Sequence, residues 1–141
     1  MSEGVNLSLL ERLGLLADQL VTELEADACA VSRVIGDVLI LVAEKVTEGH
    51  MLLQGQGYLV PDYPQTAKVL ATGIPCTLTL ADSDVDDAEA QVLRDQGYTS
   101  LMMLPLEVGG DAWGLVEVYR VRPVPFSDDD VLRAVELSRV G

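Results

Sequence analysis

Residues 28–35 and 38–46 are two runs rich in β-branched side chains, separated only by Gly36-Asp37. A two-residue link of this composition is a tight-turn sequence, so the runs are predicted to pair as an antiparallel hairpin. The second run contains Val38-Leu-Ile-Leu-Val-Ala, apolar at every position, which predicts a strand covered on both faces. Residues 101–108 and 112–121 repeat the pattern around Gly109-Gly110-Asp111 and predict a second hairpin. Two hairpins commit the chain to antiparallel pairing, and a sheet built this way needs helices to cover it.

Caps and periodicity locate those helices. Residues 7–25 carry Leu9, Leu13, Leu16, Leu20 and Leu24 at helical spacing, widened by Leu10, Ala17 and Val21, behind a Ser8–Glu11 capping box. The stripe admits two readings: core packing alone, or core packing plus a dimer seam on the same five leucines. Residues 47–61 hold Gly49, Gly55, Gly57 and Pro61 and read as a long loop, a kind of segment often used for function. A short helix is expected next, with Asp62 as N-cap, Pro64 in the first turn, Tyr63, Ala67 and Leu70 along one face, and Gly73 at its end. Residues 76–80 alternate as a short strand, with Cys76, Leu78 and Leu80 on one side and Thr77 and Thr79 on the other. A third helix opens at a Ser83–Asp86 capping box, turns Val85, Ala88 and Val92 inward, and stops at Gly97. The last helix, over about 127–140, starts at Ser127 with Asp130 as its box partner and Phe126 and Val131 as a hydrophobic staple. The expectation is one three-layer α+β domain over residues 1–141, with the sheet and its pocket elements over 28–122.

With 141 residues, 49% of them hydrophobic and 23% charged, the chain can bury a single core and is too apolar for disorder. No uncharged stretch reaches the roughly 20 apolar residues of a membrane span. Met1-Ser-Glu-Gly has no basic region, so no secretory signal is expected. Cys29 and Cys76 lie far apart inside apparent strands, the pattern of buried free thiols in a reducing compartment. A cytoplasmic location follows as an expectation. The net charge of −14 repels phosphate backbones and anionic lipid heads, so neither nucleic acid nor membrane is an expected partner. A small anion in a buried pocket is not excluded, because local groups govern such a site.

The acidic run Asp82-Ser-Asp84-Val-Asp86-Asp87-Ala-Glu89 fails as a calcium loop. The sixth and twelfth positions, which need Gly and a bidentate Glu, are Asp87 and Leu93. Acids at helix N-termini, here and at 128–130, are explained by the helix dipole. His50 is the single histidine and has no Cys/His cluster around it, so no metal site and no catalytic residue is expected. Gly109-Gly110 joins two strands and is a turn, not a phosphate-binding loop. Trp113-Gly114 reads either as a core aromatic beside a bulge glycine or as a pocket wall.

Three pieces of the chain resemble the GAF domain family: Tyr63-Pro-Gln-Thr-Ala-Lys-Val-Leu-Ala-Thr-Gly-Ile-Pro, Val92-Leu-Arg-Asp-Gln-Gly-Tyr-Thr-Ser-Leu-Met-Met-Leu-Pro-Leu, and Trp113-Gly-Leu-Val-Glu-Val-Tyr. Their order and spacing carry the resemblance, and the flanking helices extend it over nearly the whole chain. It implies a profilin/PAS-like α+β fold with a central antiparallel sheet. The terminal helices would pack on one face, where family members commonly form homodimers. Short helices and loops on the other face would enclose a small-molecule pocket. Family members bind cyclic nucleotides, bilins, haem or small metabolites, and many have no known ligand. They regulate an attached output domain such as a histidine kinase, a cyclic-di-nucleotide enzyme or a phosphatase. None of these is seen in the sequence, so either a fragment of a longer bacterial signalling protein or a stand-alone regulator is expected.

Asp62-Tyr63-Pro64 resembles the Asp-Ile-Pro of phytochromes, Trp113-Gly-Leu-Val their Trp-Gly-Leu-Ile, and Gln96-Gly97-Tyr98 their Met-Gly-Val turn. The bilin-attaching cysteine of the cyanobacterial and plant type would fall at Ala88, with Glu89 in place of the adjoining His, so no covalent bilin and no other identified cofactor is expected. The Asn-Lys…Phe…Asp-Glu pattern of cyclic-GMP-binding members is not visible. The free-methionine-sulfoxide reductases of this fold use three cysteines, whereas two are present. Aligned as in phytochromes, Trp113, Leu115, Glu117 and Tyr119 face the pocket by period-two alternation, whereas a one-residue slip would turn Gly114, Val116 and Val118 there. Glu117 is then either a pocket carboxylate that binds a ligand's amine or a partner's guanidinium, or an exposed strand residue. The expected function is a non-catalytic sensor with Tyr63, Thr66, Thr77, Glu117 and Tyr119 binding a small molecule. A second reading is a ligand-free dimerisation module with Met102, Met103 and Leu104 filling the pocket. A third is a redox protein using Cys76.

Overall fold

The computed structural model describes residues 8–47, 57–80 and 87–140. Helix α1 (Leu9–Glu23) begins at the expected capping box: the Glu11 N–H donates to Ser8 Oγ at 3.1 Å, and the Ser8 N–H donates to the Glu11 carboxylate at 3.0 Å. Strands β1 (Ala28–Ile35) and β2 (Val38–Val46) form the first hairpin, with Gly36 at φ +60° in its turn. The second hairpin is β5 (Ser100–Val108) and β6 (Asp111–Arg120). Between the hairpins lie β3 (Gly57–Leu59), a 3-10 turn (Val60–Asp62), α2 (Pro64–Thr72), β4 (Cys76–Thr79) and α3 (Asp87–Gln96). Helix α4 (Asp128–Leu137) follows β6, and β7 (Arg139–Val140) ends the described chain.

The strands lie in the order β3-β2-β1-β6-β5-β4, antiparallel throughout, with β7 parallel to the end of β5. Side chains from opposite faces of this sheet form two separate cores. One joins Cys29, Val31, Met102, Leu104, Val116 and Val118 to α1, Phe126 and Ala134. The other joins Ala28, Ala30, Leu39, Leu41, Leu101, Met103, Leu115 and Tyr119 to Val69 of α2 and Leu93 of α3. This is the three-layer arrangement expected from the sequence, with the terminal helices on one face and the short helices on the other.

Two bulges decide which side chains meet which core. Val31 pairs with Ala43 but Ser32 pairs with Leu41, so Val42 is an extra residue. The bulge turns Leu39 and Leu41 toward α2 and α3 and Ala43 toward α1, and it makes an uninterrupted apolar run compatible with cover on both faces. In β6, Leu106 pairs with Gly114 but Glu107 pairs with Ala112, which leaves Trp113 as the extra residue. Trp113 therefore packs against the terminal-helix core, with the Arg33 guanidinium over its ring at 5.1 Å. The alternation that would have aimed it at the pocket is interrupted there. A Cβ on Gly114 would stand 2.0 Å from the Ser32 carbonyl oxygen, so only glycine fits this approach.

Other expectations shift by a residue or an element. Tyr63, not Asp62, is the N-cap of α2, because Asp62 closes the preceding 3-10 turn. The buried residues of α2 are Thr66 and Val69 instead of Ala67, and Thr66 is accommodated by donating its hydroxyl to Met103 Sδ at 3.4 Å. In α3, Ala90 and Leu93 are buried, while Ala88 is half-buried. The Ser83–Asp86 box, Val85, His50, Gly49 and Gly55 lie outside the described residues. The final helix stops at Leu137, and the edge of β5 captures the next residues as β7. The three residues proposed to fill the pocket divide between faces: Met103 lies on the α2/α3 side, and Met102 and Leu104 lie under α1.

Arg120 ties the terminal helices to the sheet. Its buried guanidinium donates to the carbonyls of Leu24 at 2.6 Å, Val124 at 3.2 Å and Pro125 at 3.0 Å, and stacks on Phe126 at 4.1 Å. It also reaches Asp130 Oδ2 at 3.5 Å, the oxygen that accepts from the Ser127 N–H in the α4 capping box. Arg120→Ala should cost about 3 kcal/mol, because the carbonyls and Asp130 lose their partner together. Arg120→Lys should recover only part of that, since one ammonium cannot span the fork. Urea denaturation checks both, and an alanine variant as stable as the parent would contradict this role.

Tyr98, buried in the α2/α3 core, stacks on Tyr119 with ring centroids 4.8 Å apart. Burial first, then the negative charges of Asp27 and Glu44, push its hydroxyl from 10.0 up to about 12. The fold keeps this proton where the unfolded chain has released it. The associated stability is therefore complete below the unfolded value and falls as pH rises from about 10 to about 12. Urea midpoints should drop across that window, and Tyr98→Phe should lessen the drop. An unchanged pH dependence in the variant would refute the assignment.

Candidate functional site

A cavity lies on the α2/α3 face of the sheet, lined by Ala30 and Ser32 of β1, Leu39 and Leu41 of β2, Tyr58 of β3, Tyr63 and Thr66 at the start of α2, Gln96 at the end of α3, and Glu117 and Tyr119 of β6. Its floor exists because β1 presents three small side chains, Ala28, Ala30 and Ser32, on alternate positions of one face. Its walls are aromatic. Tyr58 and Tyr63 meet edge to face with centroids 6.0 Å apart, and Tyr119 is held by its stack on Tyr98. The free volume is ≈ 40 Å³, room for about three water-sized groups.

Four of the five residues singled out in the sequence, Tyr63, Thr66, Glu117 and Tyr119, line this cavity together. Thr77 does not. It pairs with Met102 on edge strand β4, faces the terminal-helix side and is exposed, whereas Leu78 turns inward. Tyr58, Gln96 and Ser32 were missed. The small-residue alternation of β1 was a readable signal for Ser32. Tyr58 sits in a three-residue edge strand that the glycine-rich loop conceals, and Gln96 is the last helical residue before the Gly97 stop.

The lining is mostly apolar, with a few polar side chains and one carboxylate, that of Glu117. Tyr119 donates its hydroxyl to Glu117 Oε2 at 3.1 Å. Ala30 pairs with Glu44 across β2 and with Glu117 across β6, so the two carboxylates flank one alanine on the same face. Burial raises the pKa of Tyr58, and the charges of Glu117 and Glu44 add to that. Among the described residues, Gln96 Oε1 is buried with no hydrogen-bond partner. None of the nine Lys and Arg residues lines the cavity.

The seam leucines are placed differently from one of their two readings. Leu13, Leu16, Leu20 and Leu24 are buried against the chain's own sheet, and Leu9 packs at the edge of the same core. The apolar side chains left outward on the terminal helices are Leu10, Leu15 and Leu132, each more than half exposed. Cys29 is fully buried, which pushes its thiol pKa up and keeps it protonated. Cys76 is half-buried beside Gln65, its thiol 3.7 Å from the amide oxygen. Among the described residues no group of His, Cys, Asp and Glu could hold a metal ion, and no helix is long and apolar enough to cross a membrane.

Comparison with curated protein sequences gives no significant match. Solved structures similar to the chain include the phycocyanobilin-bound GAF domain of a cyanobacterial phytochrome, with a TM-score of 0.77 and 20% identity over 93% of this chain and 80% of that one. The blue-light absorbing form of the Thermosynechococcus elongatus PixJ GAF domain superposes with a TM-score of 0.78, at 18% identity over 92% of this chain and 80% of that one. The GAF domain of a two-component sensor histidine kinase from Bacillus halodurans gives 0.72, at 17% identity over 94% and 90% of the two chains. The family model for the GAF domain matches residues 8–139, and the chain therefore belongs to the GAF domain family.

Proposed function

We propose that the chain is a non-catalytic sensory domain that binds a small molecule between the sheet and α2/α3 and biases a signalling output domain through α1 and α4. The observation that carries this reading is the convergence of Tyr63, Thr66, Glu117 and Tyr119, with the unpartnered Gln96 oxygen, on one cavity. The output domain, attached or separate, would be of the kinase, cyclic-di-nucleotide or phosphatase kind, working in the cytoplasm. The similarity to sensor proteins in which GAF domains are found supports that part. Two features speak against a covalent bilin of the cyanobacterial and plant type. Position 88 is an alanine without a thiol, and ≈ 40 Å³ is far below the several hundred Å³ of a typical ligand pocket. The ligand is thus small, or its entry parts the Tyr58–Tyr63 pair.

Native mass spectrometry of protein purified without denaturation should find a non-covalent small-molecule mass, absent from an Ala30→Leu variant whose longer side chain fills the cavity floor. If neither bound mass nor any thermal shift appears across a broad metabolite panel, the sensor reading fails.

The small cavity also favours a second reading, a ligand-free dimerisation module. In either reading the seam is formed by the outward Leu10, Leu15 and Leu132, since the deeper leucines are committed to the core. Sedimentation should show a homodimer that Leu10→Glu with Leu15→Glu converts to a folded monomer. Leu13→Glu should instead unfold the chain, because it buries an unpaired charge. A parent chain that is monomeric at high concentration would remove the seam.

A further inference from the structure

We infer that the chain has a second binding site, separate from the cavity on the α2/α3 face, for a small zwitterion: a molecule that carries a carboxylate and an ammonium group beside a short apolar part. The site is a cleft at the edge of β5. Strand β4 pairs with β5 over Ser100 to Met103, and β7 takes up the pairing again at Glu107. Among the described residues no strand pairs with Leu104, Pro105 and Leu106 from that side. Two prolines account for the gap. Pro75, which precedes β4, and Pro105 have no N–H to donate, so the ladder ends at the Cys76–Met103 pair. The same prolines argue against an added peptide strand, which would need edge N–H groups. The cleft has a free volume of ≈ 190 Å³, against ≈ 40 Å³ for the first cavity. A space of about 150 Å³ already admits a benzene-sized molecule.

The walls come from both helical layers, with Pro75 beyond the end of α2 on one side and Val135 and Ser138 at the end of α4 on the other. Pro75, Val135 and Leu104 offer apolar surface. The charged groups are of opposite sign. Glu107 and Arg139 are register partners across β5 and β7, so their side chains stand on the same face, and both line the cleft. Among the described residues neither is in an ion pair, with the other or with a third group. Arg139 therefore offers a fork of N–H donors to a carboxylate, and Glu107 offers acceptors to an ammonium group. Ser138 supplies a third polar group. It is 3% exposed and lines the cleft, and its Oγ is buried with no hydrogen-bond partner among the described residues. A buried hydroxyl left unpaired is costly, and donating it to the carboxylate held by Arg139 removes that cost. A ligand of single charge would satisfy one end of the cleft and meet its own sign at the other. A zwitterion answers both.

The test is an amide NMR titration of the intact chain with L-2-aminobutyrate, against sodium chloride, sodium butyrate and propylammonium chloride at matched ionic strength. Saturable shifts are expected at Gly73, Leu104, Glu107, Ser138 and Arg139, with Ala30, Ser32 and Tyr119 of the first cavity unmoved. Butyrate lacks the ammonium group and propylammonium lacks the carboxylate, so each should bind roughly tenfold or more weakly than the amino acid. Arg139→Gln and Glu107→Gln, both at exposed positions, should weaken its binding by a similar factor. Ser138→Ala should weaken it roughly threefold or more without lowering the urea midpoint, a split that a purely structural hydroxyl would not give. Cleft shifts no different from those of sodium chloride, or affinity unchanged in the folded variants, would overturn the inference. Butyrate or propylammonium binding as tightly as the amino acid would overturn the zwitterion class. Shifts confined to Ala30, Ser32 and Tyr119 would move the ligand to the first cavity and remove the second site.

Discussion

The Arg120 guanidinium is the contact on which the layered arrangement depends. A helix end leaves carbonyls without partners, and a connection that turns from a strand into a helix leaves more. Arg120 answers three of these at once, at Leu24, Val124 and Pro125, and lies against Phe126, the residue before the α4 cap. Asp130 joins the same group while capping α4. The end of β6, the end of α1 and the start of α4 are thereby held to one point. Arg133 adds a second link, donating from Nε to Glu23 at 2.8 Å, but on the exposed surface where such pairs contribute little.

Strand alternation gives that junction its functional interest. Tyr119 and Arg120 are adjacent on β6 and point to opposite faces, one into the cavity and the other under the terminal helices. Movement of Tyr119 or Glu117 on ligand entry would be felt by the same strand that carries Arg120. No long chain of contacts is required, because the sheet is one residue thick. Asp27, the residue before β1, is tied to the same segment: its N–H donates to the Tyr119 carbonyl at 2.9 Å, and its carboxylate accepts from the Val121 N–H at 2.8 Å.

Much of this was legible in the residues. Gly36-Asp37 and Gly109-Gly110 marked both hairpins, and the Ser8–Glu11 and Ser127–Asp130 boxes marked both terminal helices, because tight turns and caps are chemically specific over a few residues. What escaped was whatever depends on a partner strand. The bulges at Val42 and Trp113 are properties of a pair of strands, so the alternation rule held for Leu115, Glu117 and Tyr119 and broke at Trp113. The alternation of Cys76–Thr79 was read correctly, but which face enclosed the cavity was not, and Thr77 was misplaced for that reason. The leucine stripe of α1 announced a wide apolar face without saying that its own sheet would use nearly all of it. Strands as short as β3 and β7 carry too few residues for any periodicity to show.

The occupancy of the cavity is the quantity to measure. A crystal structure of the domain taken directly from its source cells, never denatured or dialysed against chelators or strong salt, reads it most directly. Electron density for a small molecule in contact with Gln96 and Glu117 is expected, with the Tyr58 and Tyr63 rings parted beyond their present 6.0 Å where the ligand exceeds the free volume. A cavity of unchanged size holding water alone would contradict ligand binding there and leave the domain as a scaffold for assembly.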